Sequence, residues 1–366
     1  MSEAIQILQI LLISCALAFV WAPFLIRFLY KYKIVRLVDA DYTEIIESRR
    51  LKQGTPIMGG LLVVITVLGL NLLFNFEGDT KVPLLVFFIA SLLGGFDDLL
   101  NIFGRERPVR SVKRTIKLIR VHKDRSSRLK LLFSLPWQAY KRVFFLLGSN
   151  PGKGIQAHEK IIIQSICGML VAWWLYFRLG WDTIWVPFGG EIKLGLLMPL
   201  FIIFLVVGLA NAVNFTDGMD GLASGNLIFA YLAFLVIAII QGDFSIAFLE
   251  ATVIGALIAY LYYNIAPARF QMGDVGSLAL GTLLATVALV QDRAILLFII
   301  GGIFFLELGS TVVQGMSRRI LGRRILKMAP IHHHFEILGW SEEKIVMRFW
   351  LFGIILAIFG IYLSFV

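Results

Sequence analysis

Residues 194–221 read LGLLMPLFIIFLVVGLANAVNFTDGMDG, and the way this stretch is read decides the fold. Its first twenty residues, 194–213, are apolar enough to cross a hydrocarbon core about 30 Å thick as one helix. The run then ends in Asn211, Asn214, Asp217 and Asp220, a polar residue at every third position, which keeps the four roughly on one helical face. Polar groups at the end of a membrane helix are costly to bury and mark function. Gly218 and Gly221 follow, where backbone can approach a ligand closely, and a capping role for the next helix is the simpler alternative for Asp220.

The same pattern recurs along all 366 residues, of which 58% are hydrophobic and only 16% charged, against about 25% charged in a soluble domain. Ten apolar spans are expected, at about 5–30, 57–76, 83–103, 160–179, 194–213, 225–241, 246–265, 275–290, 294–314 and 346–366. The predicted class is an all-α polytopic membrane protein. The first span stays as a helix, since its flank carries Glu3 in place of a basic cluster and its apolar run is too long for a cleaved signal. No internal repeat or low-complexity linker divides the chain, so a single membrane domain, 1–366, is expected.

Loops 31–56, 104–159, 214–224, 266–274 and 315–345 carry about 27 of the 34 Lys and Arg, which makes them cytoplasmic and puts both termini on the periplasmic side. The net charge of +10 is thereby explained as a topology signal, and no nucleic-acid partner is needed. A basic inner face also attracts anionic membrane lipid and phosphate-bearing substrates. The insertion at 104–159 interleaves basic residues with Val, Ile and Leu, as an amphipathic segment on the inner leaflet would, with a disordered basic loop as the competing reading. Cys15 and Cys167 lie in apolar spans without metal-type spacing and are expected to pack.

The remaining polar clusters map to the same, cytoplasmic ends of spans: GGFDDLLN with Asp97, Asp98 and Asn101, NIAPARFQMGDVGS with Asn264 and Asp274, and APIHHHFE at 329–336. A transporter would place its carboxylates near the bilayer midplane on broken helices. A site at the inner rim suits chemistry between a water-soluble substrate and a lipid. Asp97 and Asp98 point about 100° apart on a helix, so both can reach one cavity. Carboxylates beside amides are hard oxygen ligands suited to Mg²⁺ completed by substrate phosphates, although a helix-end pair that merely reaches water is the simpler alternative. In MGDVGS, Asp274 could ligate a metal at a helix start whose N–H groups face a phosphate, or act only as a cap. In QGTPIMGG, Thr55 follows Arg49, Arg50 and Lys52, which reads equally as a helix entry with positive charge on the cytoplasmic side. The three histidines do not make a zinc cage: on a helix His332 and Glu336 share a face while His333 and His334 point elsewhere. Phosphate recognition by one imidazole, with the others holding the loop, is expected instead.

Together GTPIMGG at 54–60, DDLL at 97–100, NAVNFTDGMDGLA at 211–223, NIAPARFQMGDVGSLALG at 264–281 and RRILKMAPIHHHFE at 323–336 resemble the phospho-N-acetylmuramoyl-pentapeptide-transferase family, of the polyprenyl-phosphate N-acetylhexosamine-1-phosphate transferase superfamily, in order and over nearly the whole chain. The resemblance implies ten membrane helices, an active site facing the cytoplasm at the bacterial inner membrane, Mg²⁺ and a homodimer. It implies transfer of phospho-MurNAc-pentapeptide from UDP-MurNAc-pentapeptide to undecaprenyl phosphate, giving lipid I and UMP.

Carried over by motif, Asp97, Asp98 and Asp274 are the acidic triad, catalytic and metal-binding, with Asp274 the direct ligand. Asn214 and Asp217 line the nucleotide pocket, Asn264 is a further site amide, Gln314 lies near the nucleoside, and His332, His333 and His334 form the histidine loop, with His332 catalytic. Lys52 and Thr55 stand on the substrate side, the basic residue before GTP being either Arg50 or Lys52. The chain departs from the family pattern at Gln271, where Phe is usual and Phe270 stands next to it, and in its longer 104–159 insertion. Direct attack by the lipid phosphate, with Asp97 or Asp98 orienting or deprotonating it, is the expected mechanism, and a covalent aspartyl-phosphate route is the alternative. A UDP-GlcNAc:polyprenyl-phosphate GlcNAc-1-phosphate transferase is the nearer rival function, and a transporter or lipid scaffold the non-enzymatic one.

Overall fold

A computed structural model describes residues 2–35, 54–104, 124, 126, 131, 134–138, 140 and 154–366. Lys52, Arg49, Arg50 and most of the 104–159 insertion, with its expected amphipathic stretch, lie outside the described residues. The chain is built almost wholly of helices: α1 Ser2–Lys31, α2 Leu61–Phe74, α3 Gly78–Phe103, α4 Ala157–Ala172 extended by a wider turn over Trp173–Arg178, α5 Met198–Thr216, α6 Leu222–Gln241, α7 Phe244–Asn264, α8 Gly273–Val290, α9 Leu297–Ile300, α10 Gly302–Ile320, α11 Ile331–Ile337 and α12 Glu342–Leu363.

Eight of these are long and apolar enough to cross a membrane. The other two expected spans are helical but differ from the reading of the sequence. Helix α2 has only 14 residues. Residues 57–60 are drawn off into an irregular turn with Met58 at φ +68°, where Gly59 and Gly60 donate N–H groups to the carbonyls of Gln271 and Met272, and Gln271 donates to that of Pro56. The ninth span is interrupted at Gly301, between α9 and α10, and α10 carries Glu307, Arg318 and Arg319.

Local sequence sets the helix ends. Asp243 accepts the N–H of Ile246 to start α7, Ser341 accepts that of Lys344 to start α12, and the N–H of Glu77 donates to the hydroxyl of Thr80 at the head of α3. Helix α8 is the centre of the bundle: every residue from Val275 to Leu289 is buried, against α3 on one side and α5 on another. Helix α7 packs between α1 and α6, and α6 also meets α12. The outer helices leave large side chains uncovered, such as Leu12, Val20 and Phe24 on α1 and Leu351, Ile355 and Ile358 on α12. Exposed apolar area of that extent belongs against lipid.

Contacts between distant motifs gather the ends of α3, α5 and α7 and the starts of α4, α6, α8 and α12 on one face. The opposite face carries an antiparallel hairpin, β1 Thr183–Val186 with β2 Gly190–Lys193. Trp185 ties it down: its N–H donates to Asp292 Oδ1 at 3.3 Å, and the Arg293 guanidinium lies 4.1 Å from the centre of its ring.

Candidate active site

The acidic motifs meet where α3 ends and α8 begins. Asp98, buried near the end of α3, accepts the N–H of Asp274 on Oδ1 and that of Val275 on Oδ2, both at 3.0 Å. It therefore caps α8 from 176 residues away, an anion placed on the positive end of a helix. The contact requires Gly273. Its φ is +72°, and a Cβ there would stand 2.7 Å from Asp98 Oδ2 and 2.9 Å from the backbone N of Met58.

With α8 seated in this way, Asp274 faces Asp97. Lys160, one turn into α4, lies between them, its Nζ 2.7 Å from Asp97 Oδ2 and 2.5 Å from Asp274 Oδ2. Each carboxylate is also held from the scaffold. Asp97 Oδ1 accepts the N–H of Ile155 at 2.5 Å and Oδ2 accepts the Asn101 amide at 2.9 Å; Asp274 Oδ1 accepts the Asn214 amide at 2.8 Å. Asn214 in turn donates to Ser277, so α5 and α8 are locked together at this point. The Asp97 side chain is 1% exposed, whereas those of Lys160 and Asp274 are 21% and 20% exposed. The cluster thus opens on the lysine side.

It opens into a cavity of 670 Å³ bounded by α3, α4, α5, α8 and α10. Asp97, Asn101, Lys160, Asn211 and Asn214 form its polar end, and Ile161, Ile203, Phe204, Val207, Leu278 and Leu308 form an apolar wall. Such a site accepts a charged group joined to hydrocarbon.

For a metal, the donor set suits a hard cation. Two carboxylates converge on a point already held by a positive charge, and Mg²⁺ is commonly bound by one or two carboxylates with the rest of its shell from phosphate and water. Among the described residues no three His, Cys, Asp or Glu side chains gather into a ready-made cage. Asp98, with both oxygens on backbone N–H groups, is turned to α8.

The other expected site residues fall into two neighbouring groups. Asn264 joins α6, α7 and the loop before α8, accepting from the Gly221 N–H and the Ser224 hydroxyl and donating to the Phe270 carbonyl. Phe270 is fully buried, packed edge-on against Tyr260 with ring centres 5.0 Å apart, so its face is not offered to a ligand. Asp217 ends α5, its N–H reaching the carbonyls of Val213 and Asn214. Thr55 is half-buried in the approach to α2.

The second group is built on α10 and α11. Gln314 donates to the Leu326 carbonyl and accepts the N–H groups of Ile325 and Leu326, pinning the loop that leads to the histidines. His332 Nδ1 lies 3.0 Å from Oε2 of the fully buried Glu307, and its Nε2 faces Gly218, where any Cβ would collide with it. His333 pairs with Glu336 at 2.8 Å, and His334 Nδ1 accepts the Lys327 N–H. Glu336 therefore partners His333, while His332 takes a carboxylate from a different helix. The histidine helix is docked by these contacts on the turn that follows Asn214 and Asp217.

Lys160 and Glu307 are the residues that the sequence did not single out. A lysine opening an apolar span is already explained by membrane topology. Glu307 carried a usable signal, an acid within an apolar run.

Fold and site define a class: an all-α polytopic membrane protein with a charged centre set among helix ends at one face and open to an apolar wall. Sequence comparison supplies the family. Residues 80–292 match glycosyl transferase family 4. Phospho-N-acetylmuramoyl-pentapeptide-transferases of Bacillus thuringiensis (strain Al Hakam) and Bacillus cereus (strain AH187) are each 35% identical to the chain over 365 residues, covering 97% of it and 98% of the relative. The chain belongs to glycosyl transferase family 4 and, within it, to the family of these transferases; it is an enzyme.

Proposed function

We propose that the protein transfers phospho-N-acetylmuramoyl-pentapeptide from UDP-MurNAc-pentapeptide to undecaprenyl phosphate, forming lipid I and UMP, at the cytoplasmic face of the bacterial inner membrane. The cavity beside Lys160 carries this reading. Its polar end suits a phosphate and its apolar wall suits the prenyl chain attached to it. The 35% identity to named transferases along nearly the whole chain supports the donor. Ten membrane crossings, periplasmic termini and a homodimer belong to the same proposal and rest on the loop charges and the family.

In the proposed step a phosphate oxygen of the lipid attacks the phosphorus that bears the sugar. The bond from that phosphorus to the oxygen of UMP breaks, and UMP leaves with the electron pair. A phosphate monoester is largely ionised near pH 7, so the attacking oxygen needs orientation more than deprotonation. When bound by Asp97 and Asp274, Mg²⁺ supplies charge that offsets the repulsion between the two anions and stabilises the leaving phosphate. Asp98 acts as a positioning residue, since its hold on α8 fixes Asp274. Asn214 orients Asp274 from the side, and the histidine helix stands ready for the sugar diphosphate.

The test is UMP release by the purified full chain with undecaprenyl phosphate, Mg²⁺ and either UDP-MurNAc-pentapeptide or UDP-GlcNAc. Lipid-dependent UMP from the first donor alone is the expected result. UMP only from UDP-GlcNAc would move the function to the GlcNAc-1-phosphate branch, and UMP released without lipid would favour a covalent aspartyl intermediate. No UMP from either donor would overturn the reading.

A further inference from the structure

Lys160 raises a question of occupancy. Asp97 commits Oδ1 to the Ile155 N–H and shares Oδ2 between the Asn101 amide and the lysine Nζ at 2.7 Å, while Asp274 commits Oδ1 to the Asn214 amide and turns Oδ2 to the same Nζ at 2.5 Å. The oxygens by which the two carboxylates face each other across the site are thus the two that the ammonium touches. Mg²⁺ binds oxygen at about 2.0–2.1 Å. A divalent ion drawing on both oxygens would stand within contact distance of Nζ, and two cations that close repel strongly in a site this buried.

The lysine has somewhere to go. Its side chain is 21% exposed and lines the cavity, where Asn101, Asn211 and Ser165 offer polar company short of the apolar wall. Its four-carbon stem is flexible enough to swing the charge without moving the helix.

We propose that Lys160 and a divalent cation compete for one seat between Asp97 and Asp274, so that cation binding turns the Lys160 ammonium out into the cavity to receive an anionic phosphate. This rests on the reading that Asp97 and Asp274 are the metal-binding carboxylates. Before the exchange the two aspartates and the lysine sum to one negative charge, which repels phosphate. Afterwards the same groups with the divalent ion sum to one positive charge, and the only mobile cation of the cluster stands at the mouth of the lipid wall. Acceptor binding is thereby made conditional on the metal.

The experiment measures Mn²⁺ affinity of the full chain in detergent by the loss of the free-ion electron paramagnetic resonance signal, and in parallel the Mg²⁺-dependent rise in Tm. Two variants move in opposite directions. K160M removes the competitor and tightens Mn²⁺ about tenfold, whereas K160R, whose fork grips both carboxylates, weakens it about tenfold. Inorganic phosphate is expected to raise the Tm of the wild-type chain only when Mn²⁺ is present, and not at all in K160M. Equal affinities in the three proteins, or weaker binding in K160M, would overturn the competition. A wild-type chain that binds no Mn²⁺ or Mg²⁺ would instead sink the metal assignment beneath it. If K160M fails to fold, K160R decides alone, since only competition makes an additional charged fork a loss to the metal.

Discussion

Two adjacent aspartates do different work, and the difference is measurable residue by residue. Asp97 faces Lys160 and the cavity, while Asp98 faces the N–H groups that open α8. D97N turns one of two accepting oxygens into a donor and is expected to cost about 1 kcal/mol in thermal unfolding, less than the change at Asp98, while lipid-dependent UMP release falls about a hundredfold or more. D98A strands two buried N–H donors and is expected to cost about 2 kcal/mol, read as a drop in Tm together with lost activity. Equal effects on stability from the two changes would contradict the division. The pair is legible in the sequence as a pair, since carboxylates in an apolar run are rare. Its division is not, because it depends on Gly273 adopting φ +72° and on a contact 176 residues distant.

At the scale of elements, the contact between α10 and α11 is a buried carboxylate and imidazole at 3.0 Å. Removing one partner leaves the other without compensation. E307L is expected to lower stability by about 3 kcal/mol, and E307L/H332L to recover most of it, as measured by thermal unfolding. Activity should be lost in both, which separates what holds the helix from what serves the substrate.

On the opposite face, burial beneath Trp185 holds the Asp292 carboxyl above its ordinary range, against the opposing pull of the Trp185 N–H. The folded chain then keeps this proton to higher pH than the unfolded chain, so stability at this site falls as pH rises above about 3.9. D292N should flatten that slope, and Asn suits the left-handed φ of +51° found there. A slope unchanged in D292N, followed by Tm against pH, would assign it to another group. Most helices were legible from apolar run length. The short second helix was not, since the residues that would lengthen it form a turn whose N–H groups pair with Gln271 and Met272. Nor was the interruption of the ninth span at Gly301, where nothing but the pair Gly301 and Gly302 marks the break.

For the whole molecule, the described motifs gather at one face and the hairpin lies at the other end of α8, beside Asp292. An epitope inserted between Gly189 and Gly190, at the exposed hairpin turn, should be reached by antibody on spheroplasts without permeabilisation if the lysine-rich loops face the cytoplasm. Labelling only after permeabilisation would invert the orientation. That all the motifs lie at one face was readable from the sequence, because polar residues recur at alternate span ends. The gathering of those ends around Lys160 was not, because its two partners, Asp97 and Asp274, come from helices far apart in the chain.

The cavity beside Lys160 also bears on chemotherapy. Its charged end and hydrocarbon wall lie within one 670 Å³ space. A small amphiphile with an anionic head and a branched tail would engage Lys160 and the wall together. Inhibitors of that kind would owe nothing to uridine mimicry, and substitution of Lys160 is expected to weaken inhibitor and lipid acceptor together.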